Sequence, residues 1–159
     1  MLQQIDHVVI VVNDLDEAIE DATAAGFAVT PGGEHTFGQT RNALIAFQDG
    51  TYVELLAFVS GSPDGRHYFS ERHRLGFGLA EFSLLSDDLD HDIASIAVRG
   101  VPFPPPTSLG RNRPDGVRLE WRMSLPATLH PRKGYPFLIE DTTNRSLRVP
   151  FAPEATNHP

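Results

Sequence analysis

His7 stands in the run Ile5-Asp6-His7-Val8-Val9-Ile10-Val11, and the two-residue period of a strand puts it on one face with Ile5, Val9 and Val11. An imidazole on an apolar face needs a partner, either a carboxylate that satisfies it as a core histidine or a metal ion that it ligates. Glu54 interrupts Tyr52-Val53-Glu54-Leu55-Leu56 in the same manner. A carboxylate amid that much apolar surface is costly to desolvate unless it is paired or coordinated. Glu81, in Leu79-Ala80-Glu81-Phe82, and Glu140, in Phe137-Leu138-Ile139-Glu140, are two further interruptions. If His7, Glu54, Glu81 and Glu140 converge, one imidazole and three carboxylates form a site for a divalent cation. Without a cation the carboxylates repel, so at least one has a raised pKa or accepts a charged hydrogen bond from an arginine such as Arg41 or Arg122. Oxygen-rich ligation suits Mn, Mg or Fe, while Zn and Ni also accept mixed histidine–carboxylate sites, which leaves the metal open.

An internal repeat supplies the elements that would bring these four together. Ile5 to Val12 reads as a strand, and Asn13 or Asp14 can cap the helix that follows, with acids in its first turn and an end near Gly26. The same order returns in Leu79–Leu85, Asp88-Leu89-Asp90 and Gly100: Asp14, Leu15, Asp16, Ile19 and Gly26 recur as Asp88, Leu89, Asp90, Ile93 and Gly100 at a constant offset of 74. His7 then corresponds to Glu81, and Glu140 resembles Glu54 as the acid of a closing strand. After its helix the first half continues through Phe27-Ala28-Val29, a turn at Pro31-Gly32-Gly33, and a hairpin of Thr36–Phe47 and Tyr52–Phe58 about Asp49-Gly50. Val117–Leu125 and Tyr135–Glu140 are the later strands of the second half, which carries extra loop residues. The organisation expected is a first β-α-β-β-β module over 1–60, a connector over 61–77 with a short helix at His67–Arg74, and a second module over 78–149. Residues 150–159 read as a poorly ordered tail.

Composition excludes much else. With 13 basic against 21 acidic residues and a formal charge of -8, nucleic acid is not an expected partner. The absence of cysteine removes thiolate nucleophiles, disulfides and sulfur-ligated zinc. No phosphate loop, dinucleotide fingerprint, His-Glu-x-x-His or Gly-x-Ser-x-Gly motif occurs. The first residues carry neither a basic stretch nor an apolar core, and no run approaches a membrane span, so the expectation is a cytoplasmic protein with no membrane partner.

With Ile5-Asp6-His7-Val8-Val9, Asp14-Leu15, Gly26-Phe27, Gly38-Gln39-Thr40-Arg41-Asn42, Tyr52-Val53-Glu54-Leu55 and Pro136-Phe137-Leu138-Ile139-Glu140, residues 5 to 145 resemble the glyoxalase-like branch of the vicinal oxygen chelate superfamily. The resemblance implies an α+β fold of the glyoxalase/bleomycin resistance/dioxygenase type, in which two β-α-β-β-β modules pair into a cupped mixed sheet. It also implies a divalent metal held by the first and last strands of each module, places that His7, Glu54, Glu81 and Glu140 fit, although some related proteins have lost it. The activity implied is that of a metal-dependent lyase, isomerase or dioxygenase acting on a small substrate with adjacent oxygens. The alternative is a non-catalytic small-molecule-binding or antibiotic-resistance protein with the same cup. In the enzyme reading Glu140 is the preferred base and Glu54 its possible exchange partner. Arg41 and Arg122 are candidates to receive a substrate carboxylate or phosphate, with Trp121 as an aromatic wall. A homodimer is a further expectation.

Overall fold

The computed structural model describes residues 1–59, 67–126 and 135–159. Its first module runs β1 (Leu2–Val11), α1 (Leu15–Ala24), β2 (Thr30–His35), β3 (Thr40–Ala46) and β4 (Tyr52–Phe58). After the short helix α2 (Ser70–Arg74) the second runs β5 (Gly78–Ser86), α3 (Leu89–Val98), β6 (Thr107–Asn112), β7 (Arg118–Ser124) and β8 (Phe137–Asp141), followed by α4 (Arg145–Arg148) and α5 (Pro153–Thr156). The eight strands close into a barrel-like cup in the order β1-β4-β3-β2-β6-β7-β8-β5. The fold is thus the expected α+β pairing of two β-α-β-β-β modules in one mixed sheet.

The repeat is visible in the caps. Asp14 accepts from the backbone N–H groups of Asp16 and Glu17, and Asp88, its repeat partner, accepts from that of His91. Gly26 and Gly100 follow the two helices with φ of 97° and 87°, a left-handed exit that a side chain would oppose. The two modules meet where β1 pairs antiparallel with β5, and Val8 lies opposite Phe82, its own equivalent at the offset of 74, so the pseudo-twofold axis passes between them.

Apolar burial fixes which face of each strand turns inward. Val9, Val11, Leu56, Phe58, Phe69 and Phe137 pack inside the sheet, while Leu15, Ala43, Ile45, Leu55 and Ala57 pack beneath α1 on its outside. Two local expectations change. Pro31-Gly32-Gly33 is not a turn but part of β2, accommodated by a register shift between Pro31 and Gly33. The last ten residues are anchored, not loose: His158 takes the Ala28 backbone N–H on Nδ1 (3.2 Å), sets Nε2 2.7 Å from the Ala46 carbonyl, and packs against Phe27 and Phe47.

Candidate functional site

Sheet register sets a row of four side chains across the base of the cup. His7 lies opposite Tyr52 on β4 and Ser83 on β5, and Ser83 lies opposite Phe137 on β8. The His7 ring stacks on Tyr52 at 4.6 Å between centroids and meets the edge of Phe137 at 5.3 Å. In a regular strand Asp6 would face away from His7. Here the β1–β5 register slips between Ile5 and His7, an irregularity that re-aims a side chain. Asp6 Oδ2 comes to 2.7 Å from His7 Nδ1, and Ser83 Oγ lies 2.9 Å from the same nitrogen. Arg148, from α4, donates to both Asp6 oxygens at 2.8 and 3.0 Å and to the Tyr52 hydroxyl oxygen at 2.7 Å, and Arg145 also bonds Asp6. Burial alone would raise the Asp6 carboxyl, but the Arg148 charge and the bonds from His7 and Arg148 hold it well below the usual range. An ionised Asp6 only accepts, so His7 Nδ1 carries the hydrogen and Nε2 turns toward the cup.

Nε2 lies 3.4 Å from Glu54 Oε2. Burial works against a charged His7, yet the contacts with Asp6 and Glu54 outweigh it and raise its pKa above the ordinary value. The other Glu54 oxygen accepts from Asn42 Nδ2 at 2.6 Å and lies 3.4 Å from His35 Nε2. Burial would raise Glu54, but contacts from His7, His35 and Asn42 bring it down to about 2. His35 hydrogen-bonds through Nδ1 with Thr40 Oγ1 at 2.9 Å, and burial lowers its pKa to about 4, so it is neutral near pH 7. Arg111 Nη1 donates to Asn42 Oδ1 at 3.3 Å, which fixes the amide with its NH2 toward Glu54 and His35. Above this floor opens a cavity of about 300 Å³ with walls that include Leu56, Phe69, Leu109, Trp121, Met123 and Ile139. The Trp121 indole stands edge-on to His35 at 6.0 Å.

His7, Glu54 and Trp121 are therefore brought together in the cup, and the other expected site residues are not. Glu81 faces Tyr68: their side chains hydrogen-bond, the Glu81 carboxylate also accepts from the Phe82 N–H, and burial raises its pKa. Glu140 lies on the outside, since Phe137 and Ile139 line the cavity and their neighbours on β8 point the other way. Register explains this placement. Glu54 pairs with Val9 on β1; the equivalent of Val9 is Ser83, and its partner on β8 is Phe137. Phe137, not Glu140, is the counterpart of Glu54, and the three-residue offset inverts the face. Glu140 instead accepts from Arg122 Nη1 at 3.0 Å, the arginine alternative raised by the sequence.

Arg41 and Arg122 are also turned away from the cup. Arg41 donates to Asp16 at 2.9 Å and Arg122 to Asp90 at 2.8 Å. Asp16 and Asp90 are repeat equivalents, so both arginines serve as matching ties between a sheet and the first turn of its helix. The expected four-ligand metal site is not formed. Among the described residues no three histidine or acidic side chains are grouped to hold a metal ion. Phe137 occupies the fourth place, Glu81 is engaged by Tyr68, and the oxygen of Glu54 nearest His35 faces the Asn42 NH2 with Arg111 behind it. A donor amide and a guanidinium beside the carboxylate are the opposite of what a cation needs.

Asp6, His35, Asn42, Arg111 and Arg148 were not expected in the floor. Asn42 lies in the stretch Gly38–Asn42 that carries part of the family resemblance, which was a usable signal. Asp6 reaches the floor only through a strand irregularity, and Arg148 from beyond the last strand, for which strand periodicity has no signal.

A family model described as a glyoxalase-like domain matches residues 5–159. Among solved structures, a hypothetical protein from Staphylococcus aureus is 18% identical with a TM-score of 0.72, over 93% of this chain and 62% of its own. This chain thus spans less than two thirds of that protein. A methylmalonyl-CoA epimerase in complex with methylmalonyl-CoA and NH4+ is 22% identical with a TM-score of 0.66, over 90% of this chain and 97% of its own. A methylmalonyl-CoA epimerase from Mycobacterium tuberculosis is 21% identical with a TM-score of 0.61, over 89% and 90%. At these identities the likeness is one of fold. No curated protein matches the chain.

Proposed function

The chain belongs to the glyoxalase-like domain family of the vicinal oxygen chelate superfamily, and from that premise we propose that it is a lyase or isomerase moving a proton on a small oxygen-bearing molecule held in the cup. The observation that carries this reading is His7, with Nδ1 held by Asp6 and Nε2 facing the cavity beside Glu54. A histidine locked into one tautomer, with a pKa raised from its ordinary value near 6.5, is suited to take a proton and return it near neutral pH. Asp6 is its positioning residue. Glu54, ionised at any neutral pH, stabilises the imidazolium that forms when Nε2 takes the proton. The apolar walls exclude water and strengthen these charges.

The second reading is a cup that holds its ligand without turnover. It is favoured by the state of Glu54 and His35: with pKa values of about 2 and about 4, neither carries protons effectively at pH 7. Deuterium exchange from solvent into a panel of small 2-oxo and 2-hydroxy compounds, followed by NMR, separates the two. Catalysed exchange that falls by about 10²- to 10⁴-fold in His7→Gln, and falls in Glu54→Gln, supports proton transfer. Saturable binding without exchange supports the binding reading. Glu140→Gln, outside the cup, is expected to exchange like wild type.

A further inference from the structure

The floor contains a cation that proton transfer by His7 leaves unused. Arg111, from β6, is 3% exposed and lines the cavity. Its Nη1 donates to the Asn42 amide oxygen and its Nη2 to the Arg148 carbonyl at 2.9 Å, both neutral acceptors. Other arginines of the second half are matched differently. Arg113 bonds Asp115, Arg145 bonds Asp6, Arg148 bonds Asp6 and Asp141, and Arg122 bonds Asp90 and Glu140. Among the described residues no carboxylate lies within ion-pair distance of Arg111. Glu54, whose charge acts on it from further off, is committed to Asn42 and the two histidines.

A guanidinium has five N–H donors in a planar fork, and a buried one without a contacting counter-ion is expensive to keep. Burial lowers the Arg111 pKa, as expected of a desolvated cation. The backbone is shaped to hold it: a Cβ at Gly32 would collide with Arg111 Nη1 and Asn42 Oδ1, so the irregularity in β2 clears space for the guanidinium head. We infer that Arg111 receives the carboxylate of the cup's ligand, and that this ligand is a small organic monocarboxylate whose apolar remainder packs against walls such as Trp121, Phe69 and Met123. One fork matches one carboxylate edge. A dianionic phosphate would bring a second charge beside Glu54 with no further uncommitted cation among the described residues to meet it. A cavity of about 300 Å³ stands at the small end of ligand pockets, which run from about 300 to about 1,000 Å³.

Arg111 plays this part only if the cup takes small molecules, as proposed above. Trp121 is the sole tryptophan and lies in the wall, so its fluorescence reports occupancy directly. The probes are 3-phenylpropanoate and its neutral amide, titrated into wild type, Arg111→Gln and Arg111→Lys. The expected result is saturable binding of the carboxylate at least about tenfold tighter than the amide. In Arg111→Gln that preference disappears while affinity for the amide stays; in Arg111→Lys part of the preference remains, and this variant carries the comparison if the glutamine variant does not fold. Failure of the carboxylate to bind wild type, equal binding of acid and amide, or an undiminished preference in both variants overturns the assignment. A carboxylate preference without any solvent exchange defeats proton transfer and leaves the Arg111 anchor standing. Exchange without the preference does the reverse.

Discussion

Asp6 and His7 are consecutive residues of one strand, yet Asp6 Oδ2 and His7 Nδ1 are 2.7 Å apart, because a slip in the β1–β5 register turns both inward. The contact joins the proposed proton carrier to a buried charge network that includes Arg145, Arg148 and Asp141. Asp6→Asn leaves Arg148 and Arg145 with an uncharged partner in the core. Removing one member of such a buried pair costs on the order of 3–5 kcal/mol, to be read from urea denaturation. The His7 titration, followed by NMR, is expected to move down from its raised position, since Asp6 is a leading cause of the rise. An unchanged His7 titration contradicts the positioning role.

The titratable groups of the floor affect stability in separate pH windows. His35 protonates near 6.5 when unfolded and at about 4 when folded, so stability falls as pH drops between those values, by on the order of 3 kcal/mol at most. Glu54, at about 2 in the fold, contributes stability that is full above about 4.5 and lost as pH falls toward about 2, and Asp6 acts in the same direction. His7, raised in the fold, contributes most below about 6.5 and loses that contribution as pH climbs through its folded value. Urea midpoints between pH 7 and pH 4.5 are expected to decline in wild type and to decline less in His35→Gln. An equal decline in both would remove His35 as the cause.

Phe137 stands where the twofold would place a partner for Glu54, so an apolar ring takes the place of a second carboxylate. Protein isolated without chelator is expected to carry well below one equivalent of Mn, Fe, Ni or Zn, and EDTA to leave exchange and fluorescence unaltered. Phe137→Glu puts a carboxylate at the vacated position and is expected to gain Mn²⁺ affinity by calorimetry, while losing stability through the lost ring packing. Stoichiometric metal in wild type that disappears in Glu54→Gln would show that Phe137, Asn42 and Arg111 do not keep a cation out.

The ion pairs Arg41–Asp16 and Arg122–Asp90 are related by the repeat and lie on the outer side, partly open to solvent. Exposed pairs of this kind contribute within about 1 kcal/mol. Arg41→Ala and Arg122→Ala are therefore expected to shift urea midpoints slightly and to leave carboxylate binding at its wild-type affinity. A large loss of binding in either would return that arginine to the site.

What the chain disclosed before folding follows from which physical rules are local. Asp14 and Asp88, Gly26 and Gly100 mark helix ends by geometry that each segment dictates alone, so the paired modules were readable. His7 and Glu54 were readable as polar residues on apolar faces. Glu140 misled because extra residues precede β8, and register, not proximity to a strand end, decides which face a residue takes. Asp6 depends on a slip that only pairing with β5 creates. Arg111 and Arg148 enter through long-range bonds to Asn42 and Asp6, for which hydrophobic periodicity carries no trace.

Gly32 offers the most direct structural perturbation of the Arg111 cradle. Its φ lies outside the left-handed region, so alanine there meets no backbone penalty; the obstacle is the collision of its methyl with Asn42 Oδ1 and Arg111 Nη1. Gly116 is the opposite case, with φ of +83° and nothing near an added Cβ, so alanine strains the backbone without touching a neighbour. Overpacking at position 32 is expected to cost about 1–3 kcal/mol, and strain at position 116 a comparable roughly 1–2 kcal/mol. The two should part in the Trp121 titration. Gly32→Ala displaces the fork and weakens 3-phenylpropanoate relative to its amide, whereas Gly116→Ala binds both as wild type does. Equal binding by the two variants would mean that the space kept open at Gly32 serves the packing of the barrel and not the capture of a ligand.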